Sequence, residues 1–201
     1  NVLRCTDIGN AELFAEQHRH HLRYCYDFGS SLVWNGKVWR VDDRASIDRF
    51  AEQSVKSFVD EADATSDRSE RANLMDWIGK SGNRHRMTAM ASQSWHRLQI
   101  EQSQLDTDPM LLNLEGVSIN LIDGSAKPND PSDYCTKIAK AKYEPNAECP
   151  QFMSFLDRIM GGSADLKGYL QRAVGYSLTG STREQCFFIA HGIGANGKSV
   201  F

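Results

Sequence analysis

The chain has 201 residues, 40% of them hydrophobic, enough apolar material for a real core in one or two domains. A net charge of −3 neither demands nor excludes nucleic acid, because local patches matter more than the total, and no apolar run is long enough to span a membrane. The five cysteines, Cys5, Cys25, Cys135, Cys149 and Cys186, are odd in number, widely spaced and without a C-x-x-C pair. That pattern argues for reduced thiols in a cytoplasmic setting, against a disulfide frame or zinc knuckle.

In chain order, Thr6-Asp7 is a capping pair for a first helix, in which Ala11, Phe14, Ala15 and His18 recur at i, i+3, i+4 and i+7. It should end near His20. Residues 22–28 and 32–39 are rich in Tyr, Val and Trp, and Asn35-Gly36 inside the second run is a strong two-residue hairpin signal, so a small antiparallel sheet is expected. From 46 to 62, Ile47, Phe50, Ala51, Val55, Phe58 and Ala62 form one stripe of a packed amphipathic helix. The polar run 60–71 reads as a loop or helix end. Asp42-Asp43 and Asp60-Glu61 are paired acids with no identifiable base or nucleophile, and read as turn and helix-end charges.

Between Asp76 and Glu101 there is no acid, and Lys80, Arg84, Arg86 and Arg97 are interleaved with His85, His96 and Trp95. On a helix over 83–98, Met87, Ala91 and Leu98 face one way and Arg86 and Arg97 the other. The plain reading is a solvated surface face; the functional one makes Arg84, Arg86 and Arg97 candidates for contacts to a DNA backbone. After Asp108-Pro109, the runs 111–114 and 117–122 flank Glu115-Gly116, a second hairpin. Lys127, Lys137, Lys140 and Lys142 make the next stretch basic. Phe152, Phe155, Leu156 and Ile159 define a further helix, Gly161-Gly162 break it, and Leu166, Tyr169, Leu170, Ala173 and Val174 define the next. The histidine-rich HRHH at 18–21, near Cys25, straddles a helix end and lacks the spacing of a catalytic zinc helix, so it is a poor metal site.

The most informative stretch comes last. Gly192, four residues, then Gly197-Lys198-Ser199 satisfy G-x-x-x-x-G-K-[ST], the phosphate-binding loop. Glycines let successive backbone N–H groups turn inward at the phosphates, Lys198 would reach the β- and γ-phosphates, and Ser199 would ligate Mg²⁺. Such a loop needs a buried strand before it, and the apolar run Cys186-Phe187-Phe188-Ile189-Ala190 is read as that strand. The acidic strand, sensor residue and arginine finger that a nucleotide hydrolase also needs have no place before the loop. With Asn1 rather than Met at the start, the expectation is an internal piece of a longer protein, itself unable to turn over ATP.

Read together, TDIGNAELFAEQH, LRYCYDFGSSLVWNGKVW, DTDPMLLNLEGVSINLIDGS, ECPQFMSFLDRIMGG and LQRAVGYSLTGSTREQCFFIAHGIGANGKS resemble the helicase half of phage and plasmid primase-helicases. That group belongs to the superfamily 3 helicases and is similar to the poxvirus nucleoside-triphosphatase primase. The resemblance covers residues 6–201, least strongly over 62–104. Glu115-Gly116 departs from the Asn-Gly usual there. It implies an α+β chain: a mostly helical module with small hairpins over 1–148, a helical segment over 149–180, and over 181–201 the first strand and P-loop of a truncated AAA+-like ATPase domain. It also implies ATP and Mg²⁺ as cofactors, with Gly192, Ile193, Gly194, Ala195, Asn196, Gly197, Lys198 and Ser199 holding the nucleotide. Single-stranded or forked DNA would be the partner, the parent a homo-hexameric helicase, and the location a host cytoplasm without membrane attachment. Two other readings stay open: a non-catalytic DNA-binding or ring-assembly module, and an unrelated P-loop kinase or other NTPase.

Overall fold

A computed structural model describes residues 5–43, 45–192, 194 and 197. It has six α-helices and two three-stranded antiparallel sheets among those residues, and divides into two compact units. The first unit comprises the described residues up to Thr107 together with Asp130–Lys137; the second comprises Asp108–Asn129 and the described residues from Ile138 onward.

In the first unit, helix α1 (Asp7–His18) opens on Thr6, whose hydroxyl accepts the Gly9 N–H at 3.1 Å, one of the four amides a helix start leaves without a partner. The expected stripe of Ala11, Phe14, Ala15 and His18 is buried, and Asn10 is buried beside it. Strands β1 (Leu22–Cys25), β2 (Ser30–Trp34) and β3 (Trp39–Val41) pair in that order. Because Trp34 pairs with Trp39, the second connection spans four residues, not the two expected. The physical reason is that Asn35 sits at the corner before the turn, where its side-chain oxygen accepts the N–H groups of Lys37 (3.0 Å) and Val38 (2.9 Å), while Gly36 takes the positive φ of 90°.

Helix α2 (Ser46–Ala64) starts from a distance: the Asp42 carboxylate accepts the N–H groups of Ser46 and Ile47 at 3.1 and 3.2 Å. It runs to Ala64, and α3 (Arg68–Ser81) begins four residues later, capped by Asp67 through the N–H groups of Ser69 (2.8 Å) and Glu70 (3.2 Å). The loop or helix end expected over 60–71 holds for the end of α2 and for residues 65–67, and is corrected from Arg68 onward, where α3 has already begun. Periodicity could not reveal α3 because it buries only Leu74 and Ser81, too few positions to make a stripe. Helix α4 (Arg84–Ser94), capped by Asn83, is also shorter than the single helix expected over 83–98. After Ser94 the chain tightens into a 3₁₀ turn, Trp95–Arg97, which still delivers Leu98 to the core.

The main core joins Phe14 and Ala15 of α1, Leu22 of β1, Ala51 and Val55 of α2, Met90 and Ala91 of α4, and Leu98. A second cluster lies under the sheet around Cys25, Leu32, Trp39 and Ile100, and a third holds Phe58, Ala62 and Leu74 between α2 and α3. Each large side chain such as Phe14 or Phe58 contributes about 2–3 kcal/mol by leaving water.

In the second unit, β4 (Leu111–Leu114), β5 (Val117–Asn120) and β6 (Ala126–Lys127) form the other sheet, with Glu115-Gly116 as a two-residue turn and Gly116 at φ 86°. Helices α5 (Pro150–Ile159) and α6 (Ala164–Leu178) follow, broken as expected at Gly161 and Gly162, with Ser163 capping α6. Neither helix buries a residue. The strand expected over 186–190 is absent: these residues lie outside any helix or strand, with Phe187 81% and Ile189 76% exposed. A strand exists only where its amides and carbonyls meet another strand's, and among the described residues none pairs with this run. No helix among the described residues is long and apolar enough to cross a membrane.

Candidate functional site

Of the phosphate-loop candidates, Gly192, Gly194 and Gly197 are described; Ile193, Ala195, Asn196, Lys198 and Ser199 lie outside the described residues. Gly197 has φ +80°, and a Cβ placed on it would lie 2.7 Å from Cε2 and Cζ of Phe155 and 3.2 Å from Cγ2 of Ile159. Glycine is therefore required there twice, by its backbone angle and by packing on α5. A second close approach links two of the stretches that carry the resemblance. The Gly180 N–H donates to the Pro109 carbonyl at 2.7 Å, and a Cβ on Gly180 would meet Pro109 Cα at 3.1 Å. Asp108 prepares that contact by accepting the Met110 N–H at 2.9 Å, turning the chain at Pro109.

The basic candidates do not form one open face. Arg84 is exposed at the start of α4. Arg86 lies 3.7 Å from the Asp7 carboxylate with its guanidinium 4.8 Å over the Trp77 ring, and Arg97 reaches Glu12 at 2.6 Å. Both acids sit on α1, so these two arginines tie the ends of the α4 segment to α1. Trp95, read as a neighbour for nucleic acid, is stacked on Tyr24 at 4.7 Å and 13°, which occupies one of its faces.

His18 of the HRHH cluster is a core side chain. Its Nε2 lies 3.0 Å from both the Phe50 carbonyl and the Ser54 hydroxyl; the carbonyl can only accept, so Nε2 carries the proton and donates. Burial lowers its pKa, partly offset by the bond to Phe50, with His21 lowering it further. No group of three or more His, Cys, Asp or Glu among the described residues could hold a metal ion.

Two polar clusters escaped the sequence reading. Asn10 donates to Ser81 Oγ at 3.1 Å and accepts from Trp77 Nε1 at 2.9 Å, crossing from α1 to α3 inside the core. Asn113 accepts from Ser118 Oγ at 2.9 Å and from Asn129 Nδ2 at 2.5 Å, joining β4, β5 and the following loop. The available signal was an amide on the buried stripe of α1 and another inside an apolar strand, since a buried amide is kept only where its hydrogen bonds are met.

Helix α1 from Ala11 onward, the interior amide of Asn113 and the two hairpins fall within one family pattern. Residues 11–161 match the family described as D5 N-terminal like. The chain belongs to this family. No curated protein matches it. D5 N-terminal-like domains are found at the N-terminus of phage and plasmid primase-helicase proteins, which places the chain in a DNA-replication context. The match includes α3 and α4, where the resemblance was thinnest, and ends at Gly161, before α6 and the glycine loop.

Proposed function

We propose that this D5 N-terminal-like module precedes a superfamily 3 ATPase core in a phage- or plasmid-type primase-helicase, whose ATP hydrolysis drives DNA strand separation. The carrying observation is order along the chain: a D5-type domain over 11–161, then G-x-x-x-x-G-K-S at 192–199. In this reading the amides of 194–199 cradle the phosphates, Lys198 neutralises the β- and γ-phosphate charge as it develops, and Ser199 holds Mg²⁺. Six copies in a ring would act on single-stranded or forked DNA. A purely DNA-binding module has less support, because Arg86 and Arg97 are held by Asp7 and Glu12.

The test is ATP turnover and fork unwinding by the full-length protein. Lys198→Ala should lower both by at least about a hundred-fold, the scale of removing a transition-state charge contact, while single-stranded DNA should stimulate the unmodified enzyme. Turnover that survives Lys198→Ala, or that ignores single-stranded DNA, would refute the proposal. Residues 1–201 alone should not hydrolyse ATP.

A further inference from the structure

In the first unit, one end of the sheet β1-β2-β3 gathers basic and aromatic side chains. Asp27 is the sole acid between Gln17 and Val41, a stretch that carries Arg19, His20, His21, Arg23, Lys37 and Arg40. It lies at the far turn of the β1–β2 hairpin, where its carboxylate accepts the Gln102 N–H at 2.9 Å. At the opposite end the Trp34 N–H donates to the His21 carbonyl at 2.9 Å, so His21 faces Trp34 across the ladder and shares a sheet face with Arg23, Trp34 and Trp39. Residues 130–137 cover part of that face. Trp39 Nε1 donates to the Pro131 carbonyl at 2.8 Å, and Tyr134, at a φ of 49° that a tyrosine rarely adopts, brings its ring to 6.0 Å from that of Trp39. The Arg23 guanidinium lies against both rings, 5.5 Å from the Trp39 centroid and 5.8 Å from that of Tyr134. Its hydrogen-bond partners are all uncharged: the carbonyls of Leu22 (2.9 Å) and Arg19, and the Tyr134 hydroxyl (3.4 Å). Ordinary packing accounts for the buried Trp39. It does not account for a half-buried guanidinium whose charge no acid among the described residues balances, beside the half-buried indole of Trp34 and the exposed Arg19 and His21.

We infer that this end of the sheet is a contact surface for single-stranded DNA, on which Trp34 stacks against a base while Arg19, Arg23 and His21 hold the neighbouring phosphates. The choice of DNA as the polymer rests on the replication reading; the recognition chemistry rests on the surface alone. Guanidinium groups present planar forks of donors suited to phosphate oxygens, and an imidazole N–H adds another donor. Arg23 is already held by two rings and two carbonyls, so meeting a phosphate costs it less freedom than it would cost an unsupported surface arginine. An acidic peptide would satisfy the arginines but leave the indole nothing to stack on, and duplex DNA keeps its base faces closed against each other. A single strand offers anions and open base faces together, the pairing that basic and aromatic surfaces take up. Helix α4 offers less, because Arg86 and Arg97 are matched by Asp7 and Glu12, whereas no acid among the described residues is matched to Arg19 or Arg23.

The experiment titrates the 201-residue chain, without nucleotide, into fluorescently labelled single-stranded DNA of about 20 nucleotides, longer than one such site covers, across a range of salt. Duplex DNA and polyglutamate serve as competitors, and intrinsic tryptophan fluorescence is followed in parallel. Arg19→Ala and Arg23→Ala should each weaken binding about five-fold and lower the slope of log affinity against log salt by about 0.7, the value of one single-strand phosphate contact. Arg23→Lys should restore the slope and part of the affinity. Trp34→Leu should weaken binding about ten-fold, abolish the fluorescence quenching that DNA causes, and leave the salt slope unchanged. Arg19 and His21 are exposed, so Arg19→Ala and the double variant with His21→Ala should keep the circular dichroism and urea midpoint of the unmodified chain, and they decide the matter should a change at Arg23 or Trp34 unfold the unit. Absence of single-strand binding, unaltered binding by the Arg19 and His21 variants, or a loss caused by Arg84→Ala alone overturns the inference. So does competition by duplex DNA or polyglutamate as strong as by single strands, which would make this a general anion or acidic-protein surface. Failure here leaves the ATP-turnover test of Lys198 in the full-length protein untouched, and failure of that test leaves this surface standing.

Discussion

Replacing Asn10 by Ala tests whether the interior amide holds α1 to α3. Asn10 is 1% exposed and Ser81 is 0% exposed, so water cannot replace the lost amide at Ser81, while Trp77 is only partly covered. The change removes two hydrogen bonds, at 3.1 Å to Ser81 and 2.9 Å from Trp77, each worth about 1 kcal/mol net, and leaves a buried hydroxyl and an indole N–H that lose about 1 kcal/mol or more between them. The sum is about 2–4 kcal/mol, which for a unit of this size lowers Tm by about 10–20 °C. Urea unfolding followed by circular dichroism measures it. A double-mutant cycle with Trp77→Phe isolates the bond, because the lost ring volume cancels between backgrounds while the orphaned N–H does not. Trp77→Phe should cost less by about 1 kcal/mol when Asn10 is already Ala. A loss below about 0.5 kcal/mol for Asn10→Ala, or strict additivity in the cycle, would refute the reasoning.

Lowering the pH should destabilise the first unit through His18. Its folded pKa is depressed, chiefly by burial, so between that value and the unfolded pKa near 6.5 the unfolded chain binds more protons; stability is full above about 6.5 and declines as pH falls through this window. Unfolding midpoints across pH 5–8 for the unmodified chain and His18→Gln should show that portion of the slope disappear. Gly180→Ala should destabilise the second unit by about 1–2 kcal/mol, since the added methyl would press on Pro109 at 3.1 and 3.3 Å; an unchanged melting curve would contradict the packing. Arg97→Ala, which breaks a half-exposed pair with Glu12, should cost no more than about 1 kcal/mol. Should the chain bind DNA through α4, Arg84→Ala should reduce the salt dependence of binding by about one ion, and Arg97→Ala by less, because Arg97 is already neutralised by Glu12.

Local rules were legible wherever one residue's chemistry decided the outcome. Thr6 caps α1, glycines at 161 and 162 end α5, and Glu115-Gly116 turns β4 into β5, because each satisfies backbone groups within a few positions of itself. The stripes of α1 and α2 were legible for a related reason: burying a whole face imposes a period that composition alone displays. Helix α3 was not, since it rests on two buried positions and a cap.

At the candidate site, sequence by itself supplied the glycine-lysine-serine pattern, the basic residues and the family resemblance, all properties of residue type and spacing. Only the tertiary structure decided which charges are already spent. Arg86 and Arg97 look alike in sequence to Arg84, yet acids on α1, remote in the chain, neutralise the first two. It also decided that 186–190 forms no strand among the described residues and that Gly197 rests on Phe155, since pairing and close packing depend on partners that arrive from elsewhere in the chain.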